Sequence, residues 1–164
     1  MNAIATQDFT TEFRDVMANV CTPVTVVTAL DGHRPHGTTV SAFASLSMSP
    51  PMVMVALDRG SDLLVLIREQ KRFGINVLGH GQDGLALAFA RKGADKFDGV
   101  EWSLSAGVPR IDGAPGWVAC HVADLVDGGD HIVVLGHVED AARADHPPLT
   151  YHGRTFGTHS AEEE

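Results

Sequence analysis

Short runs of apolar and β-branched residues, separated by turn residues, dominate the chain and predict a mainly β fold. Val24 to Ala29 is a β-branched run that follows Pro23, and Met52 to Leu57 is an apolar run that follows Pro50-Pro51. Both patterns are typical of strands that end at a proline or a turn. The predicted strands are 24–29, 36–43, 52–57, 73–78, 117–126 and 131–139.

Three other segments have helical spacing. Apolar residues recur every three or four positions over 10–20, which predicts an amphipathic helix packed on the core. Ser61-Asp62 is a suitable N-cap for a helix that carries Leu63, Leu64, Leu66 and Ile67. A short run of alanine and leucine predicts a third helix over 83–91.

The turn Asp127-Gly128-Gly129-Asp130 joins the last two predicted strands. Paired glycines accept the positive φ that a tight hairpin requires, so this is a strong hairpin signal. Several short strands, one hairpin and short helices together predict a small antiparallel β-barrel with helices packed outside it. We expect one domain over 1–164, with a core of about 10–157, a frayed N-terminus and a frayed acidic C-terminal tail.

Charge and cysteine content exclude several classes of function. With 12 Lys and Arg against 21 Asp and Glu the net charge is −9, which disfavours a nucleic-acid binder or a protein that docks on anionic lipid. No apolar stretch approaches the ~20 residues of a membrane span, and the first eight residues lack the features of a secretory signal. Cys21 and Cys120 are too few for a disulfide framework. We therefore expect a soluble, cytoplasmic protein that contacts neither nucleic acid nor membrane.

Three patterns in the sequence suggest functions that their context does not support. Gly79-His-Gly81-Gln-Asp-Gly84 matches the dinucleotide-binding pattern G-x-G-x-x-G, but no second apolar strand carrying an acidic residue follows it. We interpret it as a glycine-rich turn between a strand and a helix. His131 and His137 share one strand but lie about 20 Å apart, so they cannot bind one metal ion. Cys120 and His121 point to opposite faces of a strand and cannot form a catalytic pair. We expect no metal site.

The segment from Gly37 to Pro51 is rich in hydroxyl groups and small side chains. A flat heteroaromatic ligand could approach such a backbone and bind to its polar groups, but an ordinary Ser/Thr-rich edge strand would have the same composition. Cations also cluster at Arg91, Lys92 and Lys96, with Arg59 earlier. They fit either a phosphate site or a solvated helix end. Neither segment decides the function alone.

Taken in order, these segments resemble the flavin reductases of two-component flavin monooxygenases, a branch of the FMN-binding split barrels. The resemblance covers about 13–156 and rests on Phe13-Arg14, Cys21-Thr-Pro-Val-Thr-Val-Val-Thr-Ala29, Gly37-Thr-Thr-Val-Ser-Ala-Phe-Ala-Ser-Leu-Ser47, Pro50-Pro51, Arg72-Phe73, Asn76-Val77-Leu78, Lys96-Phe97, Gly129-Asp130-His131 and Pro148-Leu149-Thr150-Tyr151. It implies an antiparallel split β-barrel with a few short flanking helices.

The resemblance also implies site residues. The flavin ring would lie against one strand and the turn after it, and a third strand would border the ring. The flavin phosphate would be held by a loop and the cation cluster, while other residues would face the nicotinamide nucleotide. The flavin residues so implied are Thr38, Thr39, Val40, Ser41, Ser45, Leu46, Ser47, Arg59, Ser61, Asn76, Val77, Leu78, Arg91, Lys92, Lys96 and Phe97. The residues implied for NAD(P)H are His131, Tyr151 and Arg154.

The implied activity is hydride transfer from NADH or NADPH to FMN or FAD, with His131 orienting the nicotinamide and no dedicated acid or base. Reduced flavin would pass to a separate oxygenase component, and the protein would be a homodimer. Two alternatives remain: a split-barrel flavoprotein that keeps FMN tightly bound and acts on another acceptor, and a non-enzymatic flavin-binding module.

Overall fold

A computed structural model describes residues 3–163, with side chains from Phe9 onward. The described residues form three helices and twelve strands. In chain order these are α1 (Ala3–Ala18), β1 (Thr22–Pro23), β2 (Thr25–Asp31), β3 (Arg34–Val40), β4 (Phe43–Met48), β5 (Pro51–Asp58), α2 (Asp62–Gln70), β6 (Arg72–Val77), α3 (Asp83–Ala90), β7 (Trp102–Ser105), β8 (Val108–Ile111), β9 (Gly116–Gly128), β10 (His131–Arg143), β11 (Thr150–His152) and β12 (Thr155–Gly157).

Seven strands form one antiparallel sheet in the order β3-β2-β6-β9-β10-β5-β4. The residues that join β3 to β4 lie against β5, where the backbone N–H of Ala56 donates to the carbonyl oxygen of Ala42 at 2.9 Å. This bond brings the two ends of the sheet together. The mainly β, antiparallel barrel predicted from the sequence is confirmed, and the flanking helices are few and short, as expected.

The core fills the inside of this curved sheet. Val55, Phe73, Ile75 and Val134 are fully buried, and α2 covers them with Leu63, Leu64 and Ile67. Fully burying one such side chain contributes about 1.5–3 kcal/mol, so the apolar face of α2 is a large part of its attachment to the sheet. A second cluster, which includes Leu78, Phe89 and Ile111, lies under α3.

The strand predicted over 36–43 does not continue to Phe43. β3 ends at Val40, and the chain turns sharply because the N–H of Phe43 donates to the carbonyl oxygen of Ser41 at 2.9 Å. Residues 45–47, expected to form a turn, instead belong to β4, with an irregularity in its register against β5 between Ser45 and Ser47. The other predicted strands are present, and the β9–β10 hairpin extends beyond its predicted ends.

Helix α1 differs most from its prediction. It begins at Ala3 instead of residue 10, while Met1, Asn2 and Glu164 lie outside the described residues. From Phe9 onward its large apolar side chains do not pack on the core: the exposed fractions of Phe9, Phe13 and Val16 are 72%, 56% and 60%. The helix is held at its C-terminal end, where the N–H of Gly153 donates to the carbonyl oxygen of Ala18 at 2.7 Å.

None of the three helices in the described part of the chain combines the length and the apolar composition that crossing a bilayer demands.

Candidate active site

A cavity of about 630 Å³ opens between strands β3 and β5, the end of α3 and the β9–β10 hairpin. This volume lies within the usual range for small-molecule and cofactor sites. Its wall is made mainly of backbone and small side chains, with charged groups around them. The lining residues are His36, Thr38, Thr39, Val40, Ser41, Ala42, Ala56, Leu57, Asp58, Gly60, Ser61, Asp62, Ala90, Arg91, Lys92, Gly93, Lys96 and His131.

The sharp turn at Ser41-Ala42 shapes one wall. Ser41 and Ala42 are exposed to solvent and lie between the end of β3 and the start of β4. Because the carbonyl oxygens of both residues bind backbone N–H groups of Phe43 and Ala56, the turn is tied to β5. Small side chains at this turn leave the cavity open to a flat ligand.

The two threonines of β3 bind α3 and do not present free hydroxyl protons to the cavity. The hydroxyl of Thr39 donates to the carbonyl oxygen of Ala86 at 2.5 Å, and that of Thr38 lies 3.4 Å from the carbonyl oxygen of Phe89. Their hydroxyls therefore fasten α3 to β3, which fixes the position of the cations that follow α3.

Three cations lie at one end of the cavity. Arg91 and Lys92 are exposed and follow α3 directly. The ammonium of Lys96 donates to the carbonyl oxygens of Gly37 and Phe89, at 3.0 and 3.2 Å. Desolvation by burial lowers the pKa of Lys96, while the charge of Asp62 partly opposes that shift. Arg91 and Lys92 are free to meet an anion, whereas Lys96 also holds β3 to the end of α3.

His36 lines the same end of the cavity and is not among the residues implied by the resemblance. Burial is the main cause that lowers its pKa; the charges of Lys96 and Arg34 lower it further, while Asp62 and Asp31 oppose the shift. The imidazole is therefore neutral at pH 7. Its neutral form lies beside the ammonium of Lys96 without charge repulsion.

We predict that His36→Gln reduces the loss of stability on acidification. A His with a lowered folded pKa binds fewer protons when folded than when unfolded, so stability falls as pH drops through the unfolded value near 6.5. Thermal melting between about pH 7.5 and about pH 5.5 measures this effect. The melting temperature of His36→Gln should fall less than that of the wild type. His33→Gln, at an exposed turn, is the matched control, and equal falls in His36→Gln and wild type would contradict the prediction.

The loop from Asp58 to Asp62 forms the wall opposite α3. A carboxylate oxygen of Asp58 accepts the N–H of Gly60 at 2.7 Å, and the backbone oxygen of Asp58 accepts the N–H of Ser61 at 3.0 Å. Ser61 occupies the N-cap of α2, as predicted, but its hydroxyl makes no capping hydrogen bond. The side chain of Arg59 binds the β9–β10 hairpin, and Arg59 does not line the cavity.

His131 lies at the start of β10, half-exposed, on the rim of the cavity. Its Nδ1 lies 2.7 Å from a carboxylate oxygen of Asp130. This hydrogen bond is the first cause, and the charge of His131 the second, that lowers the pKa of Asp130. The carboxylate is therefore ionised at neutral pH, and His131 has one ring nitrogen engaged and the other available.

Several residues that the resemblance implies for the site do not line the cavity. Asn76 is fully buried: its amide donates to the carbonyl oxygen of Val26 and its oxygen accepts the N–H of Ile111, so it is part of the core. Phe97 packs edge-on against Phe89, 4.8 Å between ring centroids. The others that do not line the cavity are Ser45, Leu46, Ser47, Val77, Leu78, Tyr151 and Arg154.

Residues that the sequence did not indicate complete the cavity. Ala56, Leu57 and Asp58 come from the end of β5, and Ala90 and Gly93 flank the cations after α3. The resemblance implies the loop 59–61 as part of the flavin site. The end of β5 directly precedes this loop, and that adjacency is the sequence signal for Ala56, Leu57 and Asp58. Nothing in the sequence places α3 beside β3, because that contact depends on the fold.

The glycine-rich motif lies away from this cavity. Its first glycine packs against a loop: a Cβ on Gly79 would lie 2.4 Å from His146. The side-chain oxygen of Gln82 accepts the N–H of Gly79 at 2.8 Å. The motif is thus the turn that joins β6 to α3, as interpreted from the sequence. Cys120 is fully buried, and burial raises its pKa to about 12, so it is an unreactive thiol.

Residues 17–160 match the family described as the flavin reductase like domain. The chain is 38% identical over 146 residues to the reductase component of a 4-nitrophenol 4-monooxygenase/4-nitrocatechol 2-monooxygenase from Rhodococcus opacus, covering 89% of this chain and 79% of that protein. It is also 38% identical over 151 residues to an NADH:riboflavin 5'-phosphate oxidoreductase from Streptomyces pristinaespiralis, covering 89% of this chain and 86% of that protein.

Among solved structures, the NADH:FAD oxidoreductase SgcE6 of Streptomyces globisporus C-1027, in complex with NAD and FAD fragments, superposes with a TM-score of 0.88. It is 32% identical in sequence, and the match covers 94% of each chain.

Proposed function

The chain belongs to the family of flavin reductase-like domains, and from this premise we propose that it transfers a hydride from NAD(P)H to FMN or FAD. The observation that carries the proposal is the cavity of about 630 Å³, with Arg91 and Lys92 at one end and His131 on its rim. One end suits a phosphate and the other a neutral ring with amide groups. Relatives of this chain are named for both FMN and FAD, so either flavin fits the proposal.

The residues of the cavity fit a flavin by size and by donor set. We place the phosphate at Arg91 and Lys92, with Lys96, His36 and Ser61 near it. We place the ring edge at the backbone of Thr38, Thr39 and Val40 and at the small residues Ser41, Ala42 and Ala56. Hydrogen bonds from a preorganised backbone to the ring edge favour the anionic reduced form.

When bound, the flavin accepts the hydride at its ring, and that chemistry belongs to the cofactor itself. The chain's contribution is orientation: the reacting atoms must approach to about 3–3.5 Å. We assign His131, on the rim of the cavity, to hold the nicotinamide, and no residue has to give or take a proton in the hydride step. An open cavity also allows the reduced flavin to leave for a separate oxygenase component.

We further propose a homodimer. The exposed apolar side chains of α1 form one face that includes Phe9, Phe13, Val16 and Met17. A second copy could bury this face, which water otherwise covers at a cost of about 25 cal/mol per Å² of apolar surface. For Tyr151 and Arg154 to meet the nicotinamide, that second copy must bring its own β11–β12 hairpin to the cavity.

Substituting both phenylalanines on that face (Phe9→Ser with Phe13→Ser) should convert the dimer to monomer, because the helix would lose its largest apolar groups. Sedimentation velocity measures the change. The matched control is Glu12→Ser with Arg14→Ser, which alters two polar side chains of the same helix and should leave a dimer. A monomeric wild type, or a double serine variant that remains dimeric, would contradict the proposal.

We propose that the reaction takes place in the cytoplasm. We also propose that a separate oxygenase component uses the reduced flavin. Support for the oxygenase comes from the relative named as the reductase component of a monooxygenase. Support for the compartment comes from Cys21 and Cys120, both free thiols, since reducing compartments keep cysteines unpaired.

Steady-state oxidation of NADH and of NADPH, with FMN, FAD and riboflavin in turn and no oxygenase present, tests the activity. We expect flavin-dependent oxidation of at least one nicotinamide nucleotide. A protein that purifies with flavin still bound and needs another acceptor would favour the alternative with tightly held FMN. A protein that binds flavin but oxidises neither nucleotide would overturn the proposal in favour of a binding module.

A further inference from the structure

Beyond the pairing of β10 with β5, Arg59 fastens the β9–β10 hairpin, which carries His131, to the loop that lines the cavity. The backbone N–H of Arg59 donates to the carbonyl oxygen of Asp130 at 3.1 Å. Its Nε donates to the carbonyl oxygen of Gly129 at 2.7 Å, and its Nη2 donates to a carboxylate oxygen of Asp127 at 2.8 Å. Three contacts from one residue thus hold three of the four residues from Asp127 to Asp130.

This arrangement assigns the Arg59 side chain to the hairpin instead of the flavin phosphate. Asp58, Gly60 and Ser61 line the cavity, but Arg59 between them does not. Two of the three guanidinium nitrogens are engaged by the turn. Gly129 has φ +71°, a conformation that glycine adopts easily, and in this turn its carbonyl oxygen accepts the Nε–H of Arg59.

The position of Arg59 links the two sides of the site. It directly follows Asp58, whose Cα pairs with that of His131 across β5 and β10. Asp58 in turn fixes the loop through the N–H groups of Gly60 and Ser61. The loop on the flavin side and the hairpin on the nicotinamide side therefore form one connected unit, with Arg59 between them.

Asp130 fixes which nitrogen of His131 carries a proton. Its carboxylate is ionised at neutral pH and can only accept a hydrogen bond. Nδ1 of His131, 2.7 Å away, therefore directs a proton toward Asp130, and whenever the ring carries a single proton Nε2 is the acceptor. An amide N–H donates well to such an acceptor. The carboxamide of a nicotinamide ring carries two of these donors.

We propose that Arg59 and Asp130 are positioning residues for the nicotinamide nucleotide. Arg59 fastens the hairpin to the cavity loop, and Asp130 holds His131 in the tautomer whose Nε2 accepts an N–H from the nicotinamide carboxamide. The proposal rests on the proposed function, since it concerns the hydride donor of that reaction. Neither residue lines the cavity in which we place the flavin.

Arg59→Lys tests the fastening role, because lysine keeps the charge but cannot bind two separate acceptors with a planar fork. We expect the KM for the nicotinamide nucleotide to rise about five- to tenfold, with the Kd for FMN, measured by quenching of flavin fluorescence, within about twofold of wild type. The ion pair with Asp127 is exposed, so its loss should cost little stability and the variant should fold.

Lys92→Gln is the contrasting variant, at an exposed cation that lines the cavity. It should weaken FMN binding and leave the nicotinamide KM nearly unchanged. If Arg59→Lys instead weakens FMN binding and leaves the nicotinamide KM unchanged, the fastening role is wrong and Arg59 is a phosphate ligand.

Asp130→Asn tests the tautomer independently of Arg59. Asparagine keeps the shape but can also donate to Nδ1, which favours the tautomer with the proton on Nε2. We expect the nicotinamide KM to rise about tenfold with the FMN Kd unchanged, and Asp127→Asn, three residues earlier in the chain, to have a smaller effect. An unchanged KM in Asp130→Asn would overturn the tautomer assignment. A wild type that oxidises no nicotinamide nucleotide would instead overturn the proposed function, so the two failures are distinguishable.

Discussion

Replacing Ser41 with tryptophan should lower kcat/KM for flavin reduction at least ~100-fold, which corresponds to about 2.7 kcal/mol of lost transition-state stabilisation. Ser41 lies at the sharp turn that forms one wall of the cavity, and its side chain is exposed. An indole there would occupy the space in which we place the flavin ring. Because Ser41 packs in no buried cluster, the fold should persist, with the melting temperature near that of wild type.

Two tryptophan variants serve as controls for this prediction. Ser103→Trp lies on the exposed β7 strand, away from the cavity, and should retain wild-type activity. Ser45→Trp separates two placements of the ring: the resemblance implies a flavin contact at Ser45, whereas Ser45 does not line the cavity. Activity lost in Ser45→Trp and retained in Ser41→Trp would contradict the placement of the ring at the Ser41-Ala42 turn.

Reversing the two free cations (Arg91→Glu with Lys92→Glu) should weaken FMN binding about 100-fold and leave riboflavin binding nearly unchanged. Each charge-assisted hydrogen bond to a phosphate contributes about 1.5–3 kcal/mol, and two carboxylates would add repulsion to the loss of both. Riboflavin has the same ring without the phosphate. The ratio of the two affinities therefore isolates the phosphate contact from contacts to the ring.

Flavin fluorescence quenching measures both affinities on the same protein. The matched control reverses Arg68 and Arg143, two exposed arginines outside the cavity, which gives the same change of net charge. That control should keep the preference for FMN. Equal weakening of FMN and riboflavin in the Arg91/Lys92 variant, or loss of the preference in the control, would show that Arg91 and Lys92 do not hold the phosphate.

The sequence predicts those elements whose buried residues form a clear apolar pattern along the chain. Thr25 to Ala29 and Met52 to Leu57 are strands in the structure because a run of β-branched or apolar residues that follows a proline has few other stable solutions. The glycine pair predicts the hairpin, but Gly128 pairs with His131 and the two turn residues are Gly129 and Asp130, so of the two glycines it is Gly129 that has the positive φ, +71°. By contrast, β7, β8, β11 and β12 are only three or four residues long and carry no clear alternation.

For helix α1 the predicted helix is present, but the predicted packing on the core is wrong. Its spacing predicts an apolar face, and that face exists, but within one chain it meets no core. Periodicity reports that a face must be buried and not which molecule buries it. The assignment to the core was therefore an assumption about packing.

The candidate site is only partly predictable for a similar reason. Ser41, Arg91 and Lys92 line the cavity as implied, because their surroundings in the chain are local: a strand end and a helix end. Arg59 and Asn76 do not line the cavity, because their side chains bind Gly129 and Ile111, which are distant from them in sequence. Composition and spacing cannot reveal that a long polar side chain is already satisfied by the fold.

The central claim is that this chain passes a hydride from a nicotinamide nucleotide to a flavin bound in the cavity and then releases the reduced flavin. An anaerobic single-turnover experiment with equimolar NADH and FMN measures this directly, by following NADH oxidation and flavin bleaching together. We predict that both proceed with one rate constant in the wild type, that Ser41→Trp suppresses both, and that the reduced flavin passes an ultrafiltration membrane that retains the protein. Loss of NADH without flavin bleaching, or equal rates in Ser41→Trp and wild type, would contradict the claim.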